Sequence, residues 1–315
     1  MLKISGFCLT TNAIERKYPF LESIKSFLPV VDELVVIDGG STDGTREAIQ
    51  AIGDPKIRII CDEDTKWEQD WFYSRMSHNF NRGWEECTGD VVFKFDVDWV
   101  FHEEKIGIID KRYNFRSDCE SMAKRGKCML QMSKLNHILV DRYYIKKKTP
   151  FLVFRENCKM RGFNVKWGLD IDKWGYGNIP IIGRYQEQGI WFGHKLANQD
   201  MDLSMATVHI YDFSFADQET IKELRYRNFN AMVKQSHLKY YQAPISKIMP
   251  LENVNPEYVF REWKELITTN FKERLQYQVS LGKHPMVMQE KIKAMTPEMF
   301  GYGAFGWLGE NKIKY

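Results

Sequence analysis

Leu34-Val35-Val36-Ile37-Asp38-Gly39-Gly40-Ser41-Thr42-Asp43-Gly44-Thr45 is the stretch on which the reading of the fold rests. Four apolar, β-prone residues without a charge have the composition of a strand buried on both faces, as in a parallel sheet. Gly39 and Gly40 end the strand, and Ser41 or Thr42 can cap a helix that carries Ala48, Ile49 and Ile52. Asp38 is left at the carboxyl end of the strand, where it can accept hydrogen bonds from a base or ribose. A plain strand-to-helix turn does not need eight small or acidic residues in a row, and no lysine follows as in a P-loop. The stretch reads as a ligand-binding loop.

Working outward, Ile4 to Leu9 reads as a first strand, and Leu21, Ile24, Phe27 and Leu28 keep helical spacing. Ile57 to Cys61 is a third strand. Trp71 to Cys87 is a helix ended by Thr88-Gly89, and Val91 to Phe95 is a fourth strand that delivers Asp96. This alternation predicts an α/β fold, a mostly parallel sheet flanked by helices. Ligands in such sheets bind at the carboxyl ends of the strands, where Asn12, Asp38 and Asp96 all fall. Residues 105–210 read as irregular loops and short strands around a cleft, with β-like runs near Met129 to Met132 and Phe151 to Phe154. The rest reads as helical, with starts at Asp217 and Asn255-Pro256. The expected organisation is a catalytic domain over 1–215 and a helical C-terminal region over 216–315.

Hydrophobic residues make up 43% and charged residues 28% of the 315, proportions of a globular chain with an ordinary core. A net charge of +3 is too mild to diagnose nucleic-acid binding. The basic runs Arg142 to Lys148 and Arg155 to Arg161 read first as solvated faces. The six cysteines match no zinc spacing, and several lie in apolar runs as small hydrophobes. A reduced, cytoplasmic compartment is the expectation. No window resembles a membrane span or a signal peptide, so any membrane contact is expected to be peripheral.

Asp96-Val97-Asp98 follows the fourth strand. In an extended segment, residues two apart point the same way, so both carboxylates can face one metal. Oxygen ligands suit Mg²⁺ or Mn²⁺, which bridge phosphates. Alone such a triplet is common, and its place at the sheet edge gives it weight.

Together these motifs resemble the family 2 glycosyltransferases of the GT-A, Rossmann-like fold. The resemblance rests on Ile4 to Asn12, on Leu34 to Thr45, and on Asn81-x-Gly83…Thr88-Gly89-Asp90 leading into Phe93 to Asp98. It covers about the first 105 residues. It implies that Thr10 or Thr11 and Asp38 contact the base and ribose of a nucleotide-sugar donor, most commonly a UDP-sugar, with Asp62 beside the base; Asn12 and Gly40 of the same strand ends are counted with the donor-binding residues. Asp98 is then the principal metal ligand, with Asp96 toward the ribose or metal. Many relatives carry Arg before the Asn of N-x-G; here that place is Phe80, with Arg75 as the substitute. Val208-His209-Ile210-Tyr211 followed by Lys222 and Arg225 to Phe229 resembles a downstream segment in which the His completes the metal site. That makes His209 a third candidate ligand.

Inverting transfer also needs a carboxylate to take the acceptor proton. Asp170 and Asp172 stand ahead of Asp200 and Asp202, because Trp167-Gly168 offers an aromatic platform. The expected acceptor is a saccharide or lipopolysaccharide hydroxyl, or a hydroxymethylated nucleic-acid base. The rival readings are a nucleotidyltransferase, against which Ile4 to Arg16 lacks a Gly-rich triphosphate loop, and a non-catalytic nucleotide-sugar-binding module.

Overall fold

The computed structural model describes residues 2–61, 73–103, 114–140, 142–162, 165–167, 190–192, 201–211, 215–227, 255–262, 277–278 and 283–302. Strands β1 (Ile4–Thr10), β2 (Glu33–Asp38), β3 (Ile57–Cys61) and β4 (Val91–Lys94) fall on the predicted runs. They lie side by side in the order β3-β2-β1-β4, with all three pairings parallel. Helices α1 (Phe20–Phe27), α2 (Thr45–Gln50) and α3 (Tyr73–Glu86) connect them.

Both faces of this sheet are covered, and the period of two sorts the side chains. Leu34 and Val36 enter one buried cluster with Ile24 and Phe27 of α1; Val35 and Ile37 enter the other with Phe80 of α3. Each such side chain contributes about 1.5–3 kcal/mol of burial. Close approach of α3 to β1 requires Gly83. A Cβ there would meet Phe7, at 2.9 Å from Cε2 and 3.0 Å from Cγ, and nearer still to Cδ2. The N-x-G element is thus, at its glycine, a packing device.

The cap of α2 differs from expectation. Gly44 occupies the N-cap position at φ 90° with no side-chain cap, and the Asp43 carboxylate accepts from the Thr45 N–H instead. Glycine takes the left-handed backbone without penalty, which Ser41 and Thr42 do not.

The middle of the chain also differs. Residues 129–154 are two long strands, β6 (Met129–Leu139) and β7 (Arg142–Phe154), paired antiparallel. Before them come β5 (Trp99–Phe101) and α4 (Phe115–Lys124), the helix capped by Asn114. After them, β8 (Val165–Trp167) and β9 (Ile190–Phe192) pair separately, and β10 (Met201–Tyr211) runs parallel to β6. The basic run from Arg142 lies on strand β7. The main sheet reads β3-β2-β1-β4-β7-β6-β10-β5, with β11 (Tyr277–Gln278) added at the start of β7. It is mixed, with the four parallel strands β3-β2-β1-β4 at one end.

The order has a geometric result. β4 ends at Lys94 and β5 begins at Trp99, yet three strands stand between them. Four strand spacings amount to roughly 19 Å, and the five connecting residue steps reach about 17 Å when fully extended. They are not extended, because Trp99 N–H bonds the Asp96 carbonyl at 3.0 Å in a turn. The sheet therefore curls, and its β5 edge is brought back to the end of β4 at residues 95–98.

Residues 218–227 and 256–262 are helical, opened by Asp217 and Asn255 as expected. Helix Met286–Lys293 packs on the sheet through Met288 and Ile292, against Val100, Val140 and Tyr211. The segment after it is tied in by Phe300 N–H to Ala216 O and Val140 N–H to Gly301 O. No disulfide joins any of the six cysteines, and all but Cys61 are buried. No helix among the described residues is long and apolar enough to cross a membrane.

Candidate functional site

The parallel strands end level with one another. Thr10 pairs with Asp38, and Asp38 with Cys61. The loops that follow β1 and β2 are stitched together by the small polar residues of the Asp38 to Thr45 run. Asn12 N–H donates to Ser41 Oγ at 2.9 Å, and Thr42 N–H to Asn12 Oδ1 at 2.9 Å. Ala13 N–H donates to Thr45 Oγ1 at 2.8 Å, and Glu15 N–H to Asp43 Oδ2 at 2.9 Å. Asn12 adopts φ 45°, and Gly40 φ 80°; Asn is among the few residues that tolerate this region, and glycine does so freely.

Asp38 is fully buried. Its carboxylate accepts from Ser41 N–H at 3.0 Å, from Ser41 Oγ at 2.5 Å and from Arg46 at 3.1 and 3.3 Å. Burial alone would push the Asp43 carboxyl up, but hydrogen bonds from Thr45 and Glu15 outweigh it and hold Asp43 below its ordinary value. Thr10 and Thr11 are buried beside this scaffold, with Thr11 Oγ1 donating to Thr10 O at 2.7 Å. The loop is thus preorganised by its own side chains.

Asp96-Val97-Asp98 sits across from it, at the closure of the curl. The triplet is not extended: residues 97 and 98 are the centre of a turn, so the alternation argument does not describe it. Val97 is buried, while Asp96 and Asp98 are part exposed. Ser23 of α1 donates to Trp99 O at 2.6 Å, and Tyr211 N–H donates to Asp98 O at 3.0 Å, so the turn is held from both sides. Lys94, 4% exposed, places its Nζ 2.6 Å from Asp96 Oδ1. The same ammonium lies 4.7 Å from the centre of the Phe80 ring and 5.1 Å from that of Trp99. Lys134 Nζ stands 3.7 Å from the Trp99 ring. Two buried cations therefore flank the triplet's aromatic neighbour, an arrangement cation–π attraction favours. Lys94 was legible, being a charge inside the apolar run Val91-Val92-Phe93-Lys94-Phe95. Lys134 and Ser23 carried no such signal.

His209 is placed on β10 opposite Val100. It is not isolated in an apolar strand: its Nδ1 lies 3.0 Å from His137 Nε2, and its ring centre 5.1 Å from that of His102. Asp62, Asp170, Asp172 and Asp200 lie outside the described residues. Arg75 lies in α3 and Asp202 in β10, pairing with Leu130, and the structure describes neither side chain.

Residues 10–126 match the model of glycosyl transferase family 2. No curated protein sequence matches the chain. Among solved structures, the chain is similar to S. aureus TarS 1–349, with TM-score 0.39 and 12% identity over 87% of this chain and 81% of that one. The same TarS fragment in complex with UDP-GlcNAc gives TM-score 0.37 and 12% identity, covering 97% and 80%. A mycobacterial protein gives TM-score 0.28 and 17% identity, covering 43% and 42%.

Proposed function

We propose that this chain, whose residues 10–126 match the model of glycosyl transferase family 2, is an inverting, metal-dependent glycosyltransferase. It moves a sugar from a nucleoside diphosphate sugar, UDP-linked in the first instance, to an acceptor hydroxyl. The observation that carries the reading is the convergence of the preorganised Asp38 loop and the Asp96–Asp98 turn on one edge of the sheet.

The donor set suits a hard divalent cation, Mn²⁺ or Mg²⁺. Lys94 already neutralises Asp96, so Asp98 supplies the principal ligand and Asp96 serves the ribose or the metal's margin. Bound there, the ion stabilises charge on the leaving diphosphate. Lys94 adds fixed positive charge where relatives place an Arg and this chain has Phe80. Thr10, Thr11, Asn12, Gly40 and Asp62 line the nucleoside side, Asp38 holding the loop for it, with Arg75 toward the diphosphate. Asp170 or Asp172 takes the proton from the acceptor hydroxyl as it attacks the anomeric carbon. His209 is engaged by another imidazole and is not needed for this step. A reducing, cytoplasmic setting goes with six cysteines outside any disulfide.

The test is release of nucleoside diphosphate from a panel of nucleotide sugars with Mn²⁺, with and without chelator. Asp98→Asn is expected to lose at least about 100-fold in turnover. Turnover that survives both the substitution and the chelator refutes the metal assignment. Pyrophosphate as product would establish a nucleotidyltransferase, and donor binding without transfer or hydrolysis a binding module. Acceptor binding that falls steeply with salt assigns a nucleic acid; weak dependence assigns a saccharide.

A further inference from the structure

We propose that His137, His209 and His284 form a second metal site, distinct from Asp98, that takes a transition metal of the zinc class and ties the C-terminal segment to the sheet.

The three rings come from three separate parts of the chain. His137 lies on β6, His209 on β10, and His284 just ahead of helix Met286–Lys293. One ring nitrogen from each lies within 4.8 Å of the others, and all three residues are buried. The His137–His209 nitrogens are 3.0 Å apart. Two nitrogens bound tetrahedrally at ~2.0–2.1 Å stand roughly 3.3–3.4 Å apart. That pair is already near bidentate spacing, and only the His284 nitrogen has to close by an ångström or so.

The surroundings are those of a metal site as well. Ligating imidazoles are usually oriented by a hydrogen bond at their other nitrogen. Tyr211 Oη lies 2.6 Å from His284 Nδ1, and backbone hydrogen bonding at Val140 reaches both His137 and His284. Val100, Val140, Met288 and Ile292 share a buried apolar cluster with Tyr211, whose ring stacks on His137 at 4.7 Å. Imidazole donors select zinc-class metals over Mg²⁺ and Ca²⁺, whereas the carboxylates at Asp96 and Asp98 select the reverse. The alternative is a polar core cluster held by imidazole hydrogen bonds alone, which predicts no stoichiometric metal.

The experiment uses the full chain without a polyhistidine tag, stripped by chelator and titrated with Co²⁺. The expected result is one equivalent bound with the visible absorption of tetrahedral Co²⁺. Affinity should fall at least about 100-fold in His284→Ala and in His137→Ala, and by about 10–100-fold in Tyr211→Phe. Asp98→Asn should leave the spectrum in place, which separates this site from the donor site. Absence of the spectrum in the unaltered chain, or its persistence in His284→Ala, overturns the proposal. Should the histidine variants not fold, X-ray absorption on the zinc-loaded unaltered chain decides. Imidazole scattering from three ligands supports the site, and an oxygen-only shell overturns it.

Discussion

Replacing Gly83 by Ala tests whether the N-x-G element is a packing device. In isolation the change favours a helix by about 1 kcal/mol, because alanine is the better helix former. In this structure the added methyl meets the Phe7 ring at 2.9 and 3.0 Å, inside the van der Waals contact distance, and Phe7 is fully buried. Overpacking of this kind costs about 1–3 kcal/mol. A fully buried ring on a central strand cannot swing out to solvent, so the upper end applies and the net loss is about 1–2 kcal/mol. For a chain of 315 residues that amounts to roughly 1.5–3 °C in melting temperature. The assay is urea unfolding of Gly83→Ala in two backgrounds, the natural one and Phe7→Leu. The smaller leucine leaves room for the methyl, so the cost should shrink or reverse sign in the second background. A stabilised Gly83→Ala, or the same cost in both backgrounds, refutes the reasoning.

Two further predictions follow from the site. In metal-free protein, His284 is held by burial at about 4 against an ordinary 6.5, with His102 repelling its charged form and Tyr211 bonded to its ring. Its folded value is depressed, so the unfolded chain binds the proton more readily and stability is lost as pH falls below about 6.5. The loss from this ring alone is about 2 kcal/mol at pH 5, with His137 and His209 acting in the same direction. Urea midpoints at pH 7.5 and 5 should differ by that amount, and less in His284→Gln; equal midpoints at the two pH values count against it. Lys94→Met should weaken donor binding by about tenfold or more, from the loss of a charged contact, while tightening Mn²⁺ binding as Asp96 is freed. Donor and metal affinities that both stay unchanged would detach Lys94 from the site.

What was legible depended on how one-sided each residue's environment is. Leu34 to Ile37 and Val91 to Phe93 are buried on both faces, so composition alone reveals them. β6 reads Met129-Leu-Gln-Met-Ser-Lys-Leu-Asn-His-Ile-Leu139. Polar residues recur there without a clean alternation, because Lys134 and His137 are buried against Trp99 and other rings and do not face water. The triplet was found from its place after a strand, but its turn conformation depends on Ser23 and Tyr211, which are remote in sequence. His209 was singled out from a motif. Its partners His137 and His284 were not, since nothing local marks two histidines that meet only after the sheet has curled.

The curl also sets an order of events. β5 pairs with β10, and β4 pairs with β7 on the side away from β1. The matched segment 10–126 therefore holds the Asp38 loop and the Asp96–Asp98 turn without β7 and β10, which pair with β4 and β5. On a ribosome adding about 5–20 residues per second, the stretch from Lys94 to Phe154, the end of β7, takes roughly 3–12 s to appear. Through that interval the Rossmann-like half stands with an unpaired strand edge at β4. A chain cut after residue 126 is left in that state, as a template for its own aggregation.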